Sequence, residues 1–319
     1  METHWERGEP IREFSLDEIS RLIAPAGLQA RTARLIEEGK ANTNYEIETT
    51  CHRKLLLRHH VREPKSANLE RAVTDMLTGE VPVARVLLHD LSSNVSLLEW
   101  MPGNTMERLL SEGQSGEVAS AAFDLGLALA RMSQHVVPTS GFLSANPHEG
   151  QPLVVTDSWP STVDGLFGYV EWLTHQKRVI DRAGRATTEA VRRLSEQCRP
   201  RMQEAVGPPC IVHGDFKASN LLIDEGRLSA VLDWEFVHSG TYLMSIGQIF
   251  RHRSNLPADF ETAFVEGYES EGAELPRDWR CLASVIDLLS MMDFLNRDSA
   301  GPILIAEVLG LTRSTLAAY

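Results

Sequence analysis

The chain has 319 residues, 43% of them hydrophobic, enough for one large or two ordinary domains; its glycine, proline and charge content excludes a collagenous or disordered protein. A formal charge of −13 lacks the basic footprint of a nucleic-acid or anionic-membrane partner. It suits a cationic small molecule, and equally a protein whose acidity serves only solubility.

The first ten residues are polar and the longest apolar stretches, such as 303–311, are short or interrupted, so a soluble cytoplasmic protein with no obligate protein partner is expected. Cys51, Cys198, Cys210 and Cys281 lack metal-ligand spacing and read as reduced thiols. His59 and His60 adjoin on a strand and point to opposite faces, and no His-Glu-x-x-His occurs, so no zinc site is expected.

Along the chain, Ser15 followed by Glu18 forms a capping box ahead of Ile19, Leu22 and Ile23, which starts a first helix that ends near Pro25 and Gly27. Strands are expected over 31–37 and 43–50, joined by a linker that contains Gly39 and Asn42. A third apolar strand over 54–58 carries Lys54 and Arg58 on one face. Helix 66–77 has Ser66 as N-cap and Leu69, Val73 and Met76 as its apolar face; it also carries Glu70 and an Arg71/Asp75 pair one turn apart. Strands over 85–91 and 96–100 follow, the second ending at Glu99, Trp100 and Met101 ahead of Pro102 and Gly103. From there the composition turns helical. Val118, Ala122, Leu125, Leu129 and Met132 mark a helix over 117–134, and 146–163, rich in Pro, Gly and Ser, reads as a long connection.

The most informative stretch is Ile211-Val-His-Gly-Asp-Phe-Lys-Ala-Ser-Asn220. A strand over 210–212 runs into a polar loop holding Asp215, Lys217 and Asn220. Strands over 221–224 and 228–232 flank the hairpin turn at Glu225 and Gly226 and return Asp233 beside that loop. Two carboxylates, an amide and an ammonium thus meet at one edge of a small sheet. Phosphoryl transfer needs that set: a base for the attacking hydroxyl, oxygen ligands for Mg²⁺ and a cation against the migrating group. Any one of these residues alone would read as an ordinary turn; four in register between apolar strands point to chemistry. Helices over 260–267, 279–295 and 303–317 complete the chain, and Glu261, Glu266, Glu269, Glu271, Glu274, Asp287 and Asp293 fall on or between them.

The spacing Asp215-x-Lys217-x-x-Asn220 followed by Asp233 resembles the catalytic and metal-binding loops of the protein-kinase-like fold. Within that fold, His213-Gly-Asp-Phe216 and Asp233-Trp-Glu235 resemble the aminoglycoside phosphotransferase and choline kinase family. The resemblance implies an α+β, two-lobed protein: a small N-terminal nucleotide-binding lobe with an antiparallel sheet over 1–101, and a larger, mainly helical C-terminal lobe over 102–319 for catalysis and substrate. It implies Mg²⁺ and ATP or GTP as phosphate donor. It implies Asp215 as base, Lys217 against the γ-phosphoryl group, Asn220 and Asp233 as metal ligands, and His213 as a residue that holds the loop. Gly39 and Asn42 fall in the nucleotide-covering hairpin. Arg58 is the first choice and Lys54 the second for the cation on the α- and β-phosphates, with Glu70 as its partner unless Glu70 merely faces solvent. Glu99, Trp100 and Met101 fall at the hinge that reads the base, and Glu235 is a candidate contact for an amine-bearing acceptor.

The chain departs from the family after Asp233-Trp-Glu235. A Gly-Asp-Pro stretch and a second Asp are expected there, whereas 239–247 contains no Asp, so the backbone of His213 and Gly214 has no acidic brace. Three functions fit these residues: phosphorylation of an aminoglycoside-like or other amine-bearing antibiotic, phosphorylation of a small alcohol such as choline, a sugar or an amino-alcohol, or nucleotide binding by a pseudokinase scaffold. A protein kinase fits less well, since no Ala-Pro-Glu segment follows Asp233.

Overall fold

The computed structural model describes residues 11–36, 42–61, 66–145, 153–157 and 162–319. Helix α1 (Leu16–Ile23) starts as expected: the Ser15 N–H donates to Glu18 Oε2 at 2.8 Å and the Glu18 N–H to Ser15 Oγ at 3.3 Å. Strands β1 (Ala30–Ile36), β2 (Thr43–Thr49) and β3 (Lys54–His59) follow, then α2 (Ser66–Leu77), β4 (Val86–Asp90) and β5 (Val95–Glu99). The five strands form one antiparallel sheet in the order β1-β2-β3-β5-β4, and its inner face joins Ile47, Leu55, Leu57 and Leu97 to Ile19 and Ile23 of α1.

The rest of the chain is mainly helical. Strand β6 (Asn104–Thr105) leads into α3 (Met106–Ser111) and α4 (Ser115–Gln134); β7 (Gly141–Ala145) and β8 (Leu153–Asp157) precede α5 (Val163–His175), α6 (Lys177–Ala183) and α7 (Arg185–Ala205). Strands β9 (Cys210–Val212), β10 (Leu221–Asp224), β11 (Arg227–Val231) and β12 (His238–Gly240) follow, and α8 (Leu243–Phe250), α9 (Phe260–Glu269), α10 (Trp279–Asn296) and α11 (Pro302–Ala318) close the chain. An antiparallel N-terminal sheet followed by a helical region is the α+β class expected.

Two small antiparallel sheets, β11-β10-β6 and β8-β7-β12-β9, sit within the helical part. The apolar face expected for α4 lies wholly inside, with Val118, Ala122, Leu125, Leu129 and Met132 at most 1% exposed. Helix α4 meets α9 at backbone distance: a Cβ on Gly126 would stand 1.9 Å from the Phe264 carbonyl oxygen and one on Gly267 2.0 Å from that of Phe123. Helix α2 gives Leu69, Val73 and Leu77 to this larger core, so the element next to the N-terminal sheet is anchored in the C-terminal one.

The structure corrects one expectation. Part of 146–163 is not connection: Leu153–Asp157 pairs antiparallel with β7, its β-branched Val154 and Val155 overriding the turn-forming residues around them. Two of the thiols adjoin: Cys198 of α7 and Cys281 of α10 approach to 3.5 Å between sulfurs beside the Arg201 guanidinium.

Candidate active site

The site begins with a turn. Glu225 and Gly226, both at positive φ (50° and 77°), make the tight hairpin that returns β11 antiparallel to β10, and Leu221 pairs with Val231. Asp233 therefore lands two residues past the pairing, next to the loop between β9 and β10. Its own φ is 67°, a left-handed conformation that aspartate tolerates better than bulkier residues, and such strain is kept where it aims a side chain.

The loop is tied together by its own polar groups. Asn220 Nδ2 donates to the Asp215 carbonyl and to Asp215 Oδ2, both at 2.9 Å, and Lys217 Nζ lies 3.0 Å from Asp215 Oδ2. The amide oxygen of Asn220 thus remains for a cation while its nitrogen holds the carboxylate. The Leu232 N–H donates to the Asn220 carbonyl at 2.8 Å, joining the loop to the strand that delivers Asp233.

His213 is fully buried and works on the backbone. Its Nε2–H donates to the Leu232 carbonyl at 2.8 Å while Nδ1 accepts the Asp215 N–H at 3.2 Å, a pairing only the neutral ring can make. Burial holds its pKa below the ordinary imidazole value against the opposing pull of Asp215, and the Trp234 ring packs over it at 4.6 Å. Gly214 stands at φ +83°, and a Cβ there would be 2.2 Å from the Phe236 carbonyl oxygen, so no other residue fits between the loop and the segment after Asp233.

Across from the loop, Arg58 of β3 extends to α2. Its Nη1 meets Glu70 Oε1 at 2.6 Å and lies 3.8 Å from Asp233 Oδ1. Burial opposes the guanidinium charge, but Glu70, Asp233 and Glu235 outweigh it and raise the Arg58 pKa. Glu70 is 4% exposed and so does not face solvent; it is Arg71 and Asp75, paired at 3.7 Å, that lie on the outer side of the same helix. Lys54 goes elsewhere: Nζ bonds Glu46 at 2.6 Å and sits 4.1 Å over the Trp100 ring. Of the two cations on β3, Arg58 is the one brought to Asp233.

Glu99 accepts from Arg85 Nε at 3.1 Å, and Met101 packs with Ala84, Val86 and Leu98 at the end of β5. Asn42 is buried and its Oδ1 accepts the Val61 N–H at 3.4 Å; Gly39 lies outside the described residues. A cleft beside the loop joins Lys217 to Glu107 and Leu110 of α3 and to Asn255 and Leu256 after α8. No sequence signal points to those residues, because they stand far from the loop in the chain and share no motif with it. Among the C-terminal carboxylates, Glu261, Glu271, Asp287 and Asp293 are each paired with an arginine of the fold.

The donor set suits a hard cation. Among the described residues no cluster of three or more His, Cys, Asp or Glu side chains could hold a metal ion, but an amide oxygen of Asn220 and a carboxylate of Asp233 match Mg²⁺ held by few protein oxygens and completed by phosphates. No described helix is long and apolar enough to cross a membrane.

Comparison with known proteins agrees with this geometry. Solved structures similar in fold include aminoglycoside phosphotransferase APH(4)-Ia bound to ADP and hygromycin B (19% identity, 93% of this chain and 97% of that one, TM-score 0.65). Macrolide 2'-phosphotransferase MphH from Brachybacterium faecium (15%, 92% and 97%, TM-score 0.66) and a protein from Thermobifida fusca YX-ER1 provisionally described as a fructosamine-3-kinase (17%, 95% and 100%, TM-score 0.64) share it too. No curated protein matches. The sequence profile of the APH phosphotransferase enzyme family matches residues 32–284, from the third residue of β1 into the first half of α10, and the chain belongs to that family.

Proposed function

We propose that this phosphotransferase moves the γ-phosphate of ATP or GTP to a hydroxyl of a small molecule, with an aminoglycoside-like or other amine-bearing antibiotic as the leading acceptor class. The observation that carries the reading is the single hydrogen-bonded loop that sets Asp215, Lys217 and Asn220 opposite Asp233 and Arg58. Asp215, held by Asn220, accepts the proton of the acceptor hydroxyl; Lys217, 3.0 Å away, exchanges its carboxylate partner for the charge on the transferring group. Arg58, fixed by Glu70, orients the α- and β-phosphates. Asn220 and Asp233 would hold Mg²⁺, which supplies charge neutralisation across the phosphates when bound. His213 holds the loop, Asn42 belongs to the segment over the nucleotide, and Glu99, Trp100 and Met101 to the wall that meets the base. Glu235 is the carboxylate offered to a substrate amine. The chain divides into a nucleotide lobe over 1–101 and an acceptor lobe over 102–319.

The ADP and hygromycin B bound to the similar APH(4)-Ia support a nucleotide donor and an amine-bearing acceptor, as does the formal charge of −13. Likeness to a protein described as a fructosamine-3-kinase supports the second reading, a metabolic kinase for a small alcohol, sugar or amino-alcohol. A panel of aminoglycosides, macrolides, choline, sugars and amino-alcohols, each with Mg-ATP and Mg-GTP, tests both by mass detection of phosphorylated product. Product from the antibiotics alone supports the first; product only from metabolic alcohols replaces it with the second. Nucleotide binding without product from any acceptor supports a scaffold.

A further inference from the structure

The kinase-like fold places an acidic brace behind its catalytic loop, and 239–247 has no Asp to supply one. Helix α8 fills the position differently. Gln248 is buried, its Oε1 accepts the Phe216 N–H at 2.8 Å, and its Nε2 donates to the Gly214 carbonyl at 2.7 Å. Those two backbone groups belong to the peptide planes on either side of Asp215. Fixing both planes fixes the backbone torsions of Asp215, and with them the direction in which its carboxylate leaves the chain.

We propose that Gln248 is a positioning residue for Asp215, an amide brace in place of a carboxylate. The kinetic part of this proposal rests on the phosphotransfer reading; the geometric part does not. The site asks for one acceptor and one donor on a single planar group. An ionised carboxylate only accepts, so it could serve Phe216 and would face the Gly214 oxygen as a second acceptor. An amide meets both in one orientation.

The brace also has a fixed base. A Cβ on Gly247 would stand 2.5 Å from the Ala283 carbonyl oxygen, so α8 rests backbone to backbone on α10. Three residues beyond Gln248, Arg251 grips Asp287 of α10 with two hydrogen bonds of 2.9 and 2.7 Å, both side chains less than 10% exposed. The loop is thereby tied through Gln248 to the packed pair α8 and α10 behind it, and its position does not depend on the loop's own contacts alone.

The test uses the full chain carrying Gln248→Met, which keeps length and loses both hydrogen bonds, and Gln248→Glu, which keeps shape and changes donor capacity. Hydrogen exchange at the Phe216 amide reads the brace directly. Steady-state phosphoryl transfer, to an acceptor or to water, reads its effect on Asp215. In Gln248→Met, exchange at Phe216 should speed up by about tenfold or more and kcat should fall by about tenfold, with nucleotide KM changed by less than about threefold. In Gln248→Glu, kcat relative to the unsubstituted protein should fall as pH rises, because only the protonated acid donates to Gly214. A folded Gln248→Met protein with unchanged Phe216 exchange, or with kcat within about twofold of the original, overturns the proposal. If Gln248→Met does not fold, a Gln248→Glu ratio independent of pH overturns it. Should the unsubstituted protein neither transfer nor hydrolyse, the phosphotransfer reading fails by itself, and exchange at Phe216 still decides the brace.

Discussion

Two ion pairs face each other across the site, and they differ chiefly in access to water. Arg58 and Glu70 have side chains 8% and 5% exposed, whereas Asp215 and Lys217 are each 22% exposed. The first pair joins the N-terminal sheet to α2, which is itself anchored in the C-terminal core; the second lies within one loop. Charges taken out of water hold each other tightly because little solvent competes for either, so the buried pair acts as an anchor. The loop pair is solvated enough that an incoming phosphate or hydroxyl can take the place of one member at small cost. One region is built to stay and the other to exchange.

The largest effect should come from the exchanging region and should leave the fold alone. Asp215→Ala removes the proposed base and should lower kcat by about 10²- to 10⁴-fold. Its effect on unfolding free energy should stay within about 1 kcal/mol, the ordinary range for a partly exposed pair. Parallel measurement of kcat and urea midpoint checks both; turnover that survives the substitution removes Asp215 from the mechanism. Glu70→Ala reverses the pattern. Arg58 is left buried with Asp233, 3.8 Å away, and Glu235 as its remaining counter-charges, and the loss of stability should reach about 3–5 kcal/mol. A urea midpoint close to that of the unsubstituted protein would show that the pair is no anchor.

Protons sharpen the same contrast. Burial first, and then the nearby Arg58 charge, push the His60 pKa down to about 3, and burial also lowers that of His213. The Ser96 hydroxyl lies 2.8 Å from His60 Nε2 and 3.0 Å from His89 Nδ1, and His60 is neutral just past the end of β3. An unfolded imidazole takes up a proton near pH 6.5 and the folded one does not. The stabilising contribution is therefore fully present above about pH 6.5 and is lost as the pH falls, by roughly 1.4 kcal/mol per pH unit for His60 down toward its folded value. Urea unfolding at pH 7.5 and 5.5 measures this, and His60→Gln should flatten the slope. A stability unchanged over that interval contradicts it.

Much of this arrangement is legible in the chain because it is local. The capping box at Ser15 and Glu18, the hairpin at Glu225 and Gly226 and the spacing of Asp215, Lys217 and Asn220 each depend on a few neighbouring residues. Alternation and helical periodicity likewise find β2, β3, α2, α4 and the last three helices. What stays hidden is what distance in the chain conceals. Leu153–Asp157 is too short, and too closely flanked by turn formers, to show its pairing with β7. Gln248 is an unremarkable polar residue in an apolar helix until Gly214 and Phe216 are seen against it. The cleft beside the loop draws on Glu107 and Asn255, which no periodicity links to Lys217. The choice between Lys54 and Arg58 also needs three dimensions, because both occupy the same face of β3.

That choice yields the smallest and most discriminating effect. Four residues of extended chain separate the backbones of the two cations by about 13 Å, so each side chain meets its own set of partners. Lys54 is 48% exposed, and its contacts, the Glu46 carboxylate and the Trp100 ring, are of the solvated kind worth about 0.5–1 kcal/mol in total. Lys54→Ala should cost no more than that, and raising the salt concentration should shrink the difference further, since screening reaches an exposed pair before a buried one. Nucleotide KM should change by less than about threefold in Lys54→Ala and rise by about tenfold or more in Arg58→Ala, which loses the charge proposed to meet the phosphates. Equal effects on KM would mean that Lys54 leaves Glu46 and Trp100 when nucleotide arrives. The exchanging region would then extend from the loop into the N-terminal sheet, and the division between fixed and exchangeable charge would run along β3 instead of between the sheet and the loop.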